Sequence, residues 1–181
     1  SPKTMLDPMP KLIWVESFGI IGVGGTKKEA CVITDLGAQN IRVITDGEKA
    51  GGFYPVVDND LFDMEYWSLE QAKLSKASRK SLQGKVVMVT GAGGTIGSAI
   101  IKAYANAGAE LVAVDNNAVA LERVAKDFPA GTLLKTINLT KTDQIDTLLN
   151  EVILEFGGID ILISNAGTAP QSSLLEMEDV M

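Results

Sequence analysis

The second half of the chain shows a regular alternation of short apolar runs and amphipathic segments. Residues 85–90 form a nearly continuous apolar run, which is typical of a parallel strand covered on both faces. Residues 110–115, 132–137 and 159–164 are predicted as three further strands, each preceded by a segment with helical spacing of apolar residues. The predicted order is therefore β-α-β-α-β-α-β.

Three helices connect these predicted strands. The first runs from Thr95 to a stop at Gly108, the second ends at Pro129 and Gly131, and the third ends at Gly157. Crossovers of this length require a parallel sheet with right-handed connections and helices on both faces. The pattern predicts a doubly wound α/β fold, whose ligands bind beyond the carboxyl ends of the strands. One apolar stripe of the first helix is expected to lie on the sheet: Ile96, Ala99, Ile100, Ala103, Tyr104 and Ala107.

The first half is less regular. Residues 12–15 are predicted as a short buried strand, and a glycine-punctuated apolar stretch follows at 19–25. Thr26 and Glu29 have the spacing of a capping box, which predicts that a helix starts there. Ser68 and Gln71 have the same spacing, which predicts the start of a short helix that runs through Leu74. The polar, basic segment 75–81 is predicted as a linker, which places the domain boundary near residue 80 and gives domains 1–80 and 81–181. In the first helix Ala30, Ile33, Leu36 and Gly37 are expected to share one face.

Composition then excludes several classes of function. A hydrophobic content of 46% is that of an ordered globular chain, while a net charge of −7 and a pI near 4.6 oppose binding to nucleic acid or anionic lipid. The absence of histidine rules out Ser-His-Asp and His-rich metal chemistry in this polypeptide. The single cysteine, Cys31, is expected to be a small buried helix residue and fits a reducing cytoplasm. We therefore expect a cytoplasmic protein with no nucleic-acid, membrane or metal partner.

A glycine-rich turn follows the first predicted strand of the second half and leads directly into a helix. Gly91 and Gly94 are expected to supply backbone dihedrals and a close approach that a Cβ would forbid, and Gly97 lets the helix sit tightly on the sheet. The unpaired amides of the helix's first turn would then face a diphosphate, and Thr95 could add a hydroxyl donor. The alternative is a plain tight turn.

The ends of the other predicted strands carry polar residues. Asp115 can accept both ribose hydroxyls of an adenosine and repel a 2′-phosphate, which favours NAD over NADP; alternatively it caps the helix near Asn117. Asn138 can either hydrogen-bond an adenine edge or start a turn. The small residues at 164–167 can either leave room for a cofactor ribose against the backbone or simply form the turn that ends the strand. The predicted cofactor site comprises Gly91, Gly94, Thr95, Ile96, Gly97, Asp115, Asn116, Asn138, Leu139, Asn165, Ala166 and Gly167.

Together TGAGGTIG, Asp115, Asn138-Leu139-Thr140 and GGIDILISNAG resemble the short-chain dehydrogenase/reductases over roughly residues 84–170. The resemblance implies a Rossmann-like sheet and hydride transfer between nicotinamide and a small alcohol or carbonyl, with a Tyr as acid/base, a Lys four residues later and a Ser. Two departures stand out. Thr95 occupies the place of the family's middle glycine, and Asn138 that of its usual Asp.

The family's catalytic residues have no counterpart in this chain. Four positions after Tyr54, Tyr66 and Tyr104 stand Asp58, Glu70 and Gly108. We therefore expect the first four strands of an incomplete sheet, no catalytic residue, and an isolated polypeptide that is inactive. An unpaired sheet edge also predicts self-association, so a homo-oligomer is expected.

The first eighty residues resemble the tail of a class II sugar-phosphate aldolase domain. The resemblance rests on PKLIWVESFGIIGVGGTKKEACVITDLGAQNIRVI and DNDLFDMEYWSLEQAKL. Together with the second half, it implies a bifunctional rhamnulose-1-phosphate aldolase/short-chain dehydrogenase fusion, from which a chain beginning at Ser1 is expected to be cut or processed. The aldolase (lyase) activity of such a fusion and a non-catalytic nucleotide-binding module remain alternatives to an NAD-dependent oxidoreductase.

Overall fold

A computed structural model describes residues 3–74 and 80–168. The chain divides into two compact units, Ser1–Gly84 and Lys85–Met181, and each is described by itself. The predicted linker at 75–81 lies mostly outside the described residues.

The first unit packs a long helix on a hairpin. Strands β1 (Leu12–Val15) and β2 (Gly19–Gly22) pair antiparallel and are followed by helices α1 (Lys27–Ala50), α2 (Asp58–Glu65) and α3 (Ser68–Leu74). The predicted capping residue of α1 is confirmed, because Thr26 Oγ1 accepts from the backbone N–H of Glu29 at 3.1 Å. The Glu29 carboxylate accepts in turn from the Gly25 N–H at 2.8 Å. The α1 start is thus fixed by two side-chain acceptors.

Two predictions about burial in this unit are wrong. Strand β1 is largely exposed, with Trp14 at 50%, because the hairpin has no further strand in the described chain. Cys31 is exposed too. Of the face predicted for α1, Leu36 is exposed, whereas Gly37 is buried and Ala30 and Ile33 are half-buried. A Cβ at Gly37 would lie 2.5 Å from the Leu12 side chain, which shows how closely the helix approaches the strand.

The predicted capping box at the start of α3 is also wrong. The Gln71 N–H donates to the Trp67 carbonyl at 3.0 Å, so the first turn of α3 closes on Trp67 and not on Ser68. The Gln71 side-chain amide instead bonds both backbone groups of Thr4, at 2.6 and 3.0 Å. Gln71 therefore ties the N-terminal segment to α3.

The second unit is a four-stranded parallel sheet with three crossover helices. In chain order its elements are β3 (Val86–Thr90), α4 (Thr95–Asn106), β4 (Glu110–Asp115), α5 (Ala118–Ala125), β5 (Leu133–Thr136), α6 (Thr142–Phe156) and β6 (Ile161–Ile163). The strand order is β5-β4-β3-β6 with every pairing parallel, so the predicted α/β architecture is confirmed. Strand order reverses between β3 and β6, the place where doubly wound sheets bind ligands.

The core lies on both faces of β3 and β4. Helices α4 and α5 cover one face through Ile101 and Leu121, and α6 covers the other through Leu148 and Val152. All five residues of β3 are buried, as the continuous apolar run predicts.

The predicted buried stripe of α4 is displaced by one residue. Ala99 and Ala103 are exposed and Ile96 is 69% exposed, because the close contact of Gly97 with the preceding turn sets the rotation of the helix. The residues that face the sheet are Gly97, Ile100, Ile101, Tyr104 and Ala105.

A carboxylate joins the starts of the two neighbouring strands β3 and β6. Asp160 Oδ1 accepts from Lys85 Nζ at 2.7 Å, and Oδ2 accepts from the Val86 N–H at 2.8 Å. The hydrogen bond from Lys85 and that from the Val86 backbone lower the pKa of Asp160, against a smaller opposing effect of burial. The ionised form therefore stabilises the sheet.

We expect Asp160→Asn to lower the thermal midpoint of unfolding at pH 7. The difference in midpoint between the variant and the parent chain should disappear in acid. Since the pKa of Asp160 is lowered by folding, its contribution is fully present above the unfolded pKa of about 3.9 and fades as pH falls through the folded pKa. Circular-dichroism melts of both proteins from pH 7 to 3 measure the difference. Asp127→Asn, which removes an exposed pair with Lys102, is the matched control. A difference that stays constant down to pH 3 would contradict this assignment.

Candidate functional site

The glycine turn between β3 and α4 packs against the segment after β6. Gly91 has φ of 66°, and a Cβ there would lie 2.9 Å from Asn165 Nδ2 and 3.0 Å from Ala166 Cα. A Cβ at Gly97 would lie 2.1 Å from the Gly91 carbonyl oxygen. The fold itself therefore requires glycine at both positions.

Gly94 differs from its two neighbouring turn glycines. Its φ of −79° and ψ of 167° suit any residue, so the expectation that its dihedrals require glycine is wrong. A Cβ would meet no part of the chain closer than the Gly91 carbonyl oxygen at 3.4 Å. The space in front of Gly94 is open and belongs to a cavity, so a side chain would fill room available to a ligand.

The N-terminus of α4 is unprotected by side chains. Its N-cap is Gly94, no side chain caps it, and its first turn has no acidic residue. Within the described chain, the N–H groups of Thr95, Ile96 and Gly97 donate no hydrogen bond. Thr95 begins the helix and its side chain is exposed, so the backbone accommodates threonine at this place. These amides and the helix dipole together favour an anion.

Asp115, at the end of β4, holds the glycine turn through its carboxylate. Oδ2 accepts from the Gly93 N–H at 2.8 Å, and Oδ1 accepts from the Asn117 N–H at 2.9 Å. The cap of α5 is Asn117, whose Oδ1 accepts from the Ala120 N–H at 3.0 Å. The alternative that Asp115 is the helix cap is therefore wrong. A carboxylate has about four acceptor positions, so capacity for a ligand's hydroxyls remains.

Asn138 follows β5 and starts a turn. Its Oδ1 accepts from the Thr140 backbone N–H at 3.0 Å and lies 2.9 Å from the Thr140 hydroxyl. Its own N–H donates to Gln144 Oε1 at 2.7 Å. Asn138 thus makes the predicted turn and also lines the cavity.

Thr90 and Asn165 connect the ends of β3 and β6. The Thr90 hydroxyl accepts from the N–H groups of Asn165 and Ala166, both at 3.0 Å, and lies 3.3 Å from the Ile163 carbonyl. Asn165 Nδ2 donates to the Thr90 carbonyl at 3.0 Å. The sequence prediction did not include Thr90, although a threonine ending an otherwise apolar strand was the available signal.

The residues predicted at the strand ends meet around one cavity of about 590 Å³ at the carboxyl edge of the sheet. This volume is typical of small-molecule and cofactor sites. None of the described residues lining it is Lys or Arg. The lining contains all twelve predicted residues, together with Ile137, Thr140 and Thr168, which the prediction missed: Gly91, Gly94, Thr95, Ile96, Gly97, Asp115, Asn116, Asn138, Leu139, Asn165, Ala166 and Gly167.

Metal clusters and membrane-spanning helices are both absent from the described residues. No group of three or more Cys, Asp or Glu side chains in residues 3–74 and 80–168 is placed to hold a metal ion. Over the same part of the chain, no helix has the length and apolar character needed to cross a membrane.

A parallel β5-β4-β3-β6 sheet, a glycine turn at β3–α4 and a cavity beyond the strand ends define the second unit as a Rossmann-like fold. The family described as short chain dehydrogenase matches residues 85–181, more than half of the chain, and the chain belongs to this family. The family described as aldolase class II, second domain, matches residues 1–74. The predicted aldolase/dehydrogenase fusion architecture is therefore confirmed.

Similar proteins agree with this assignment. The uncharacterized oxidoreductase YuxG of Bacillus subtilis is 26% identical over 93% of this chain and 25% of its own length. L-fucose dehydrogenase of Bos taurus is 37% identical over 48% of this chain and 32% of its own length. The 3-ketoacyl-(acyl-carrier-protein) reductase of Brucella melitensis, solved with NADH, is 32% identical, with a TM-score of 0.50 over 53% of this chain and 40% of that chain. The chain thus spans well under half the length of these relatives.

Proposed function

We propose that the second unit binds NAD(H) and serves a short-chain oxidoreductase. The observation that carries the proposal is the open N-terminus of α4, where three unpaired amides and the bare face of Gly94 border the cavity. A diphosphate satisfies such amides and the positive end of the helix dipole. The Brucella reductase, similar in fold and sequence, was solved with NADH.

Asp115 supports NAD over NADP. Its carboxylate lines the cavity and is held in place by the N–H groups of Gly93 and Asn117, so it can accept ribose hydroxyls without rearranging. A 2′-phosphate would place like charge beside this carboxylate, and no Lys or Arg of the described cavity lining would offset it. Asn116 adds only a neutral amide there.

For the parent protein we propose hydride transfer to or from a small alcohol or carbonyl, including hydroxyaldehydes. The bound nicotinamide would supply the hydride chemistry, and the residues described above would bind and orient its nucleotide. This polypeptide alone is proposed to be inactive, because Tyr54, Tyr66 and Tyr104 lack a lysine four residues later. A second candidate function, sugar-phosphate aldol cleavage in the parent, is favoured by the aldolase match at residues 1–74.

Three further features are proposed. The domain boundary lies near residue 80, which agrees with the separate family matches at 1–74 and 85–181. The protein forms a homo-oligomer, since β6 ends the described sheet with one side unpaired. It resides in the cytoplasm, where a lone exposed Cys31 stays reduced.

Calorimetry with NADH and NADPH tests the proposed cofactor. We expect NADH to bind more tightly than NADPH, Asp115→Ala to weaken NADH binding about tenfold through loss of charge-assisted hydrogen bonds, and Gly94→Val to abolish it by filling the space in front of α4. An absorbance assay of the same sample with small alcohols is expected to show no turnover. Absence of NADH binding to folded protein would refute the proposal.

A matched control separates blocked binding from lost folding. Gly131→Val is the same substitution at an exposed glycine outside the cavity, but its φ of 94° makes it the more strained of the two. We expect Gly94→Val to melt close to the parent chain while losing NADH, and Gly131→Val to melt lower while keeping it. The opposite pattern would show that Gly94 is needed for folding and not for the ligand.

A further inference from the structure

Thr95 lies in the wall of the cavity with a hydroxyl group that the fold does not use. It is the first residue of α4, and its exposed side chain belongs to the cavity lining. Within the described residues this hydroxyl makes no hydrogen bond. A helical threonine can donate to the carbonyl four residues earlier, which here is Gly91. That oxygen already accepts from the Gly94 N–H at 3.2 Å and from Asn165 Nδ2 at 3.3 Å. The hydroxyl is therefore available to a ligand.

The Thr95 side chain and the unpaired amides of α4 are directed toward the same end of the helix. The first N–H groups of a helix point out of its N-terminus, and each Cα–Cβ bond is tilted toward that terminus too. Thr95 is the first helical residue, so no earlier turn of α4 separates its side chain from the cavity. An anion that accepts from the amides of Thr95, Ile96 and Gly97 would thus lie on the side of the helix to which the hydroxyl is directed.

Gly94 explains why a threonine can occupy this place. Dinucleotide-binding turns need a glycine where the backbone approaches the diphosphate closely. In this chain Gly94 meets that need, because the nearest atom to an added Cβ would be 3.4 Å away and the space in front of it is open. A diphosphate can approach the backbone there, so Thr95 can carry a side chain without closing the site.

The charge of the cavity wall makes an additional donor important. No Lys or Arg occurs in the described lining, and its one ionisable residue, Asp115, is an acid. A diphosphate would therefore be held by neutral donors, and hydrogen bonds to a charged acceptor are stronger than those between neutral groups. We infer that the Thr95 hydroxyl donates to the diphosphate and takes the part of the cation that this lining lacks. The inference rests on the proposed function, because it takes the ligand to be a dinucleotide.

Calorimetric titrations of the full chain with NADH test the role of the hydroxyl, with circular dichroism to verify folding. Thr95→Val keeps the shape of the side chain and removes the hydroxyl, so we expect its Kd to rise about three- to tenfold. Thr95→Ser keeps the hydroxyl and removes only a methyl group, so its Kd should stay within about twofold of the parent value. Thr95→Gly removes both groups and should bind no more tightly than Thr95→Val.

Thr142→Val is the matched control for the loss of the hydroxyl. Thr142 is the exposed first residue of α6, whose N-terminus also has no side-chain cap, and it lies outside the cavity lining. We expect Thr142→Val to leave the Kd for NADH unchanged.

Four results would overturn the inference while leaving the proposed function intact. These are equal Kd values for the parent chain and Thr95→Val, a loss of affinity in Thr95→Ser as large as in Thr95→Val, an equal loss in Thr142→Val, and tighter binding by Thr95→Gly than by the parent chain. The last would show that the side chain obstructs the diphosphate. If the folded parent chain binds no NADH, the proposed function fails and this inference fails with it.

Discussion

Gly97→Ala is expected to destabilise the second unit by about 3 kcal/mol, at the upper end of overpacking penalties. The added methyl group would lie 2.1 Å from the Gly91 carbonyl oxygen and 2.8 Å from Ala92 Cα. Both are backbone atoms of the turn, so relief requires α4 to move off the sheet. Alanine's higher helix propensity offsets only about 1 kcal/mol. Urea denaturation followed by circular dichroism measures the loss.

Gly94→Ala is the control for this substitution. It adds the same methyl group three residues earlier, where the nearest atom of the chain is 3.4 Å away. We expect its free energy of unfolding to fall by no more than about 1 kcal/mol, because alanine is a poorer N-cap residue than glycine. Equal stability of the two variants would show that contact between Gly97 and the turn does not hold α4 in place.

Thr90→Val is expected to lower the free energy of unfolding by about 1 kcal/mol, because the two N–H groups that lose their acceptor are only partly buried and lie at the lower end of the cost of an unsatisfied donor. Valine matches the shape of threonine but leaves the N–H groups of Asn165 and Ala166 without their acceptor. Thr90 is only 6% exposed, so the hydroxyl itself is lost from a buried position. The segment after β6 should loosen, and amide hydrogen exchange at Asn165 and Ala166 should accelerate.

Two variants bracket this effect. Thr90→Ser keeps the hydroxyl and is expected to retain protection of both amides, whereas Thr136→Val makes the same chemical change at an exposed position of β5. If Thr136→Val lowers the free energy of unfolding as much as Thr90→Val does, the loss comes from replacing a strand threonine by valine at any position. The hydrogen bonds that connect β3 and β6 would then not be responsible.

The sequence predicts the second unit well because its signals are local. A continuous apolar run marks β3, and the predicted bounds of β4 agree with the observed Glu110–Asp115. Polar residues at strand ends must meet at one edge of a parallel sheet, and the predicted residues do line one cavity. Helical spacing alone could not fix the rotation of α4, because that depends on the contact between Gly97 and the turn.

The first unit was harder to predict for a related reason. Apolar residues such as Trp14 and Leu36 suggest burial, but burial depends on how many neighbouring elements cover them. In the described chain a two-stranded hairpin and a single long helix leave them exposed. Gln71 has the spacing of a capping box with Ser68, yet its amide bonds Thr4, a partner distant in sequence.

The bond between Asp115 and Gly93 also has a consequence for engineering cofactor choice. Replacing the acidic residue to admit a phosphorylated ribose would release the Gly93 N–H at the same time. Gly93 has little room to adjust, because a Cβ there would lie 2.9 Å from the Leu121 nitrogen. Under the proposed function, recognition of the sugar and the geometry of the glycine turn would thus depend on one side chain. A successful change of cofactor would require a substitute acceptor for that amide along with any new cation.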